Sequence, residues 1–467
     1  MKQEIYRGWP WPVRFFGYFT GPLLLAAALG SACVLPAISR EAESGSVTNS
    51  LTLEAAVRLA LESNPQLRAA DSQISSAAGR AYQSKLWSNP DLELSAEDWP
   101  TGGGGFADAK KLVGVSQTVP FPGKKRLDGK IGSLGVRVSE ADYGLRRVEL
   151  VRDVKTAFFE VLAAGRLVEV SRELVGVAES SAATARKRVQ AGAAADQEQL
   201  RAEIPWEQAR TELAGFEREQ ELARQKLAML LGRPELRAVP VSGALSETGD
   251  LSLLKNGPEQ WLPRHPSVLA AQASKERAEA ASRRARLEPY PDVKLGAAGG
   301  QESGGAGSIV QFTLTVPVPI IDRSKGRKQE AQANVSVAES ELAAVEQRLL
   351  RDWGMASQRL RTAVEQAANY RERILPKANE ALRLVQRGFE EGKFGFIDLL
   401  DTQRTAAEVR LAYQQKLLEL NVAQAGIEAL VARNSGEAKP FPPLPPPLAP
   451  RPPGPVPFQS NQPGIKE

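Results

Sequence analysis

Two uninterrupted helical runs, at about residues 124–191 and 323–391, constrain this chain more than any other feature. At 1.5 Å per residue, a run of about 68 residues makes a rod of roughly 100 Å. A globular core does not accommodate helices of that length. Shorter helices flank each run, at 53–87 and 196–231 around the first and at 259–288 and 397–433 around the second. In each set the two short helices together match the long one, so they can stack end to end beside it. The pattern predicts a mainly α chain with a small β part, built as an elongated antiparallel bundle. Pro205 lies inside 196–231 and is expected to kink that helix.

The two sets are copies of one another. Asn64-Pro65 recurs as His265-Pro266, and Asn89-Pro90-Asp91 as Tyr290-Pro291-Asp292. Val119-Pro120-Phe121-Pro122 recurs as Val316-Pro317-Val318-Pro319, and Gly192 as Gly392. The offset stays between about 197 and 201, and a period of this size marks duplication of a whole structural unit. The expected organisation is a signal peptide at 1–32, an N-terminal linker at 33–50 and a first repeat at 51–232. A Gly/Pro/Ser-rich linker follows at 233–258, then a second repeat at 259–433 and a Pro-rich disordered tail at 434–467.

Each repeat carries two short alternating segments around a Gly-rich loop. Leu92 and Leu94 alternate with Glu93 and Ser95, and Val113 and Val115 with Gly114 and Ser116. In the second repeat Val293 and Leu295 alternate with Lys294 and Gly296, and Phe312 and Leu314 with Thr313 and Thr315. Period-two alternation is the pattern of a barrel strand with lipid on one side and water on the other. Trp87, Trp99, Phe106, Phe121 and Tyr290 flank the segments, where an interfacial aromatic girdle would lie. A soluble hairpin would show the same alternation once, but here two hairpins share one phase. Four strands leave open edges that lipid cannot satisfy, so several copies must share a barrel. Three copies would give 12 strands.

The ends fit export. Lys2, Arg7 and Arg14 precede an apolar run at 22–29 and the small residues Gly30-Ser31-Ala32. No later stretch is long and apolar enough for a transmembrane helix. Cys33 either is the acylated residue of a lipoprotein or simply follows ordinary cleavage after Ala32. It is the only cysteine, and His265 the only histidine, so an intramolecular disulfide and a zinc or copper cage are excluded and a His-dependent triad nearly so. No catalytic residue, cofactor or metal site is expected. Sixty basic against 55 acidic residues form no basic stripe, so nucleic acid is not an expected partner.

These residues resemble the TolC-family outer-membrane factors of bacterial tripartite efflux systems, over about 51–433. The resemblance rests on the duplicated unit, on Leu51-Thr-Leu-Glu-Ala-Ala-Val57 with Asn64-Pro65, and on Pro90-Asp91 at the start of a strand. Two stretches, Gln117–Arg126 and Gly388–Arg404, are similar to the branch serving heavy-metal resistance-nodulation-division pumps. The resemblance implies a homotrimer with a shared 12-stranded β-barrel in outer-membrane lipid and a long antiparallel helical barrel as the tunnel in the periplasm. It also implies an inner-membrane pump and a periplasmic adaptor as partners, with heavy-metal cations as the cargo. Drugs or secreted polypeptides are alternative cargo, and a pore-less coiled-coil scaffold is the alternative outside transport.

The resemblance assigns roles to few residues. Asp398 and Asp401, one helical turn apart, would form carboxylate rings at a periplasmic aperture, with Glu198 at the matching place in the first repeat. Acidic residues also suit a first helical turn through the macrodipole, so the same residues have a plain structural reading. Arg188, Gly192, Arg387 and Gly392 would form adaptor-docking tips, and the glycines equally signal helix reversal. Lys124-Lys125-Arg126 and Arg283-Arg284-Ala285-Arg286 are expected to be solvated helix ends near the membrane rim. His265 is expected to cap or pack a helix start.

Overall fold

The computed structural model describes residues 50–98, 105–255, 257–305 and 307–431. The expected signal peptide, Cys33, Trp99 and the Pro-rich tail lie outside these. The first repeat holds α1 (Leu53–Ser63), α2 (Pro65–Lys85), β1 (Asp91–Glu97), β2 (Lys110–Val119), α3 (Lys124–Gln190) and α4 (Asp196–Leu230). The second holds α5 (Pro258–Trp261), α6 (Pro266–Arg286), β3 (Val293–Gln301), β4 (Ser308–Thr315), α7 (Lys325–Asn369), α8 (Leu375–Glu390) and α9 (Phe396–Val431). Among the described residues no helix is long and apolar enough to cross a membrane.

The helix expected over 53–87 is two helices, because a residue before proline is pushed out of the α region. Asn64 is extended at φ −64° and ψ 123°, and its Oδ1 accepts from the N–H groups of Gln66 (2.8 Å) and Leu67 (3.2 Å). It therefore ends α1 and caps α2, while Pro65 fills a first-turn position where an N–H would have no helical partner. His265 repeats the device: its Nδ1 accepts from Ser267 N at 3.2 Å, so 259–288 divides into α5, a short 3₁₀ turn and α6. These two landmarks of the repeat are thus helix breaks.

The first long run is continuous over 67 residues. The second begins at Lys325 and contains a π turn at Tyr370–Ile374 before α8. Pro376 has no N–H for the carbonyl one turn back, and the wider turn absorbs that loss. At Pro205 the expected kink does not end the helix, since α4 continues through it.

The strands form one antiparallel sheet in the order β1-β2-β3-β4. Its register carries Leu92 onto Val115, Val115 onto Ala297 and Ala297 onto Phe312. The apolar positions of both repeats therefore share one face. Beyond the sheet the helices pack in two tiers. Near the strands the neighbours run α2, α3, α6, α7; farther away they run α4, α3, α9, α8.

The core lies where the tiers meet. Asn64 Nδ2 donates to Leu230 O at 2.9 Å, which sets the end of α4 against the start of α2, the end-to-end stacking expected from the lengths. Gly232, at φ +67°, reverses the chain there; a Cβ on it would lie 2.6 Å from Ser63 O. Val154, Phe158 and Leu231 are buried around this joint. Leu360, Leu420 and Ile427 form the corresponding cluster in the second repeat, covered by Leu245, Leu253 and Leu254 of the linker.

Candidate functional site

The predicted site residues fall at three levels, and the first is the pair of helical tips. α3 and α8 end in the same way. Gly192 (φ +71°) and Gly392 (φ +73°) are left-handed. Ala193 N donates to Arg188 O at 2.9 Å and Gly192 N to Val189 O at 2.9 Å. Lys393 N donates to Gly388 O at 2.7 Å and Gly392 N to Phe389 O at 3.0 Å. This is the bonding that a glycine at the end of a helix permits.

Around these turns the side chains differ. Arg188 Nε lies 3.4 Å from Glu198 Oε1, an ion pair without hydrogen-bond alignment, and its guanidinium sits 5.9 Å from the centre of the Phe389 ring. Two predicted residues, one from the tip set and one from the aperture set, are thereby brought together. Asp398 and Asp401 are both exposed but not equivalent. Asp398 Oδ2 accepts from Gly395 N at 3.0 Å, reaching back to the residue before α9 as half of a capping box. Arg387 is exposed on the last turn of α8.

Reasoning from sequence missed the aromatic filling. Phe396 is buried between the tips with Ala182, Ala185 and Ala202, against Phe389 and Trp206. Gly388 stands where the first repeat has Arg188 because Phe394 lies across it. A Cβ there would run into the Phe394 ring. The spacing Gly-x-x-x-x-x-Phe was visible, but nothing in it announced a contact.

The second level is the sheet. Leu92, Leu94, Val113, Val115, Leu295, Phe312 and Leu314 are exposed on one face, Phe312 by 81%, while Val293 is half-buried in the same phase opposite Val119. The other face is polar. Lys294 Nζ and Ser116 Oγ each donate to Glu93 Oε1 at 2.7 Å.

The third level is the junction between strands and helices, where Arg126, Arg283 and Arg286 are exposed as expected and one residue of the basic runs departs from the expectation. Lys124 is buried, not solvated. Its Nζ donates to Asp292 Oδ1 at 2.9 Å, and the same oxygen accepts from Phe121 N at 2.7 Å. The charge is buried because a carboxylate from the other repeat neutralises it. Phe121 stacks on Tyr290 with ring centres 4.8 Å apart. Arg284 bridges Asp128 (2.9 Å) and Glu288 (2.6 Å), and Arg327 reaches Glu288 at 2.9 Å. Among the described residues no group of three His, Cys, Asp or Glu could hold a metal ion.

An edge-open sheet with an exposed apolar face, joined to two tiers of long helices, is the protomer of a shared barrel-and-tunnel channel. The sequence pattern of the outer membrane efflux protein family matches residues 56–233 and 257–433, one match per repeat. The chain belongs to that family. It is an outer-membrane efflux channel with a helical tunnel in the periplasm, a conduit and not an enzyme, of a kind that assembles as trimers. The cobalt-zinc-cadmium resistance protein CzcC of Cupriavidus metallidurans is 27% identical over 405 residues, covering 86% of this chain and 93% of that one. CusC has a similar fold at a TM-score of 0.69 and 17% identity, covering 82% of this chain and 92% of its own. The outer membrane channel CmeC of Campylobacter jejuni gives 0.73 at 16% identity, over 83% and 87% of the two chains.

Proposed function

We propose that this channel is the exit duct for heavy-metal cations in a tripartite exporter, joined at its tips to a periplasmic adaptor and through it to an inner-membrane pump of the resistance-nodulation-division class. The observation that carries the reading is the similarity to a cobalt-zinc-cadmium resistance protein over 86% of the chain. The exposed carboxylates near the second tip support it, since acidic rings favour cations in a pore. In this reading Asp398, Asp401 and Glu198 face the periplasmic aperture, and Arg188, Gly192, Arg387 and Gly392 shape the docking tips. The apolar sheet face, from Leu92 to Leu314, meets lipid. Cys33 carries an acyl anchor, which the mass of the mature protein decides.

The channel supplies no energy and makes no bond. Its part is a water-filled path, with selection of cargo made by pump and adaptor. The test is deletion in the native host. Tolerance to cobalt, zinc or cadmium should fall and return with the restored gene, and the adaptor should co-purify with the channel. Unchanged metal tolerance with lost drug tolerance would reassign the cargo to organic compounds. A channel that purifies from the native host without any adaptor would remove the tip assignment.

A further inference from the structure

The sheet and both helical tiers are open at the same two ends. One end is β1, α2 and α4; the other is β4, α7 and α8. In a trimer these ends meet between copies, and the internal repeat says how. Inside the chain, the strand-to-helix turn of the first repeat meets the helix-to-strand turn of the second. Lys124 bonds Asp292, Phe121 stacks on Tyr290, and Leu287 Cδ1 lies 3.4 Å from where a Cβ on Gly123 would be.

One repeat interval later, the same strand-to-helix turn has no such partner within the chain. Ser324 takes the left-handed conformation of Gly123, at φ +54° against +94°, with its N–H held by Asp322 Oδ1 at 2.7 Å. Lys325, the counterpart of Lys124, is exposed, and Ile321 is 98% exposed beside exposed Val318 and Ile320. One interval earlier, the helix-to-strand turn is equally uncovered. Leu86, the counterpart of Leu287, and Trp87 are exposed. Asp91, the counterpart of Asp292, has Lys294 at 3.5 Å.

The second repeat also has four more residues than the first between the strand-end valine and the left-handed residue, Val316 to Ser324 against Val119 to Gly123. They include the isoleucine pair. A joint within one chain forms at high effective concentration, whereas a joint between copies must offset the loss of free translation and rotation. Extra apolar surface is needed only at the second kind.

We propose that residues 318–325 form a clamp between copies at the level where strands become helices. Ile320 and Ile321 pack on the partner subunit's Leu86 and the partner subunit's Trp87, and Lys325 pairs with Asp91 of the partner subunit. The proposal rests on the trimeric assembly of the family. It goes beyond it by naming the contacts, their chemistry and the segment added to make them.

The test joins cysteine pairs across this seam in the full-length protein extracted from membranes. Oxidised Ile321→Cys with Leu86→Cys, or with Trp87→Cys, should run as covalent dimers and trimers on a denaturing gel, and the single variants should not. Variants that are trimeric by native mass yet stay uncrosslinked overturn the clamp while leaving the trimer intact. Absence of a trimer in the unaltered protein overturns both. If the cysteine variants fail to assemble, charge variants decide. Lys325→Glu should lower the fraction of heat-resistant trimer several-fold while Lys325→Arg retains it, and equal retention by the two overturns the ionic contact.

Discussion

His265 is buried at the start of α6, with its ring edge-on to Trp261 at 6.0 Å between centres, and its Nδ1 is committed as a cap. That bond places the proton of the neutral ring on Nε2. Burial pushes its pKa below the ordinary imidazole value of 6.5. The unfolded chain therefore binds a proton near that value when the folded chain does not, so stability is full above it and falls as pH drops below it. The first repeat solves the same capping problem with Asn64, which does not titrate. His265→Asn should keep the cap and flatten the fall in melting temperature between about pH 7.5 and about pH 5.5. Thermal unfolding in detergent at both values measures this, and an undiminished fall would place the acid sensitivity elsewhere. The cap was legible from the dipeptide His265-Pro266. The ring contact with Trp261 was not legible there.

At the scale of elements, the two tips show how one turn takes two fillings. Gly192 and Gly392 are required by their left-handed backbone, whereas Gly388 is required by the ring lying on it. The consequences of substitution differ. Gly392→Ala should cost about 1 kcal/mol, the strain of a left-handed alanine, with nothing nearby to relieve it. Gly388→Ala should cost more and should be rescued in part by Phe394→Ala, which clears the space. A double-mutant cycle on melting temperature reads this, and strict additivity would mean that Phe394 does not hold that position in solution. Reading the sequence found the glycine turns, because φ above zero favours one residue type. It did not find the filling, because a contact between two helices and a loop depends on how the helices are set side by side. The same holds for Lys124: its place in a basic run suggested solvent, and only the approach of Asp292 from the other repeat made burial possible.

At the scale of the whole molecule, the proposed aperture can be tested one residue at a time. Asp398 serves the start of α9 through Gly395 N, so its loss would mix a capping effect with any change in the pore. Asp401 is exposed one turn later, so the two are separable. Asp401→Ala should lower the cation preference of single channels in planar bilayers with little change in stability. Asp398→Ala should lower both. Selectivity unchanged in Asp401→Ala would remove it from the aperture. Screening sets the condition, since a carboxylate ring acts over about 10 Å at 0.1 M salt, and low salt gives the larger effect.

The amino-acid sequence alone determined the repeat, the length of the first rod and the phase of the strands. Each of these is local or periodic: a helix needs only its own run, a strand face only its alternation. Only the tertiary structure decided which repeat meets which. The pairing of Lys124 with Asp292, the seating of Phe396 among Ala182, Ala185 and Ala202 and the stacking of α4 on α2 join residues far apart in the chain. Such contacts are fixed by the relative placement of rigid elements. The duplicated sequence is compatible with two ways of joining strand turn to strand turn, and the fold uses one inside the chain and leaves the other exposed at its open ends.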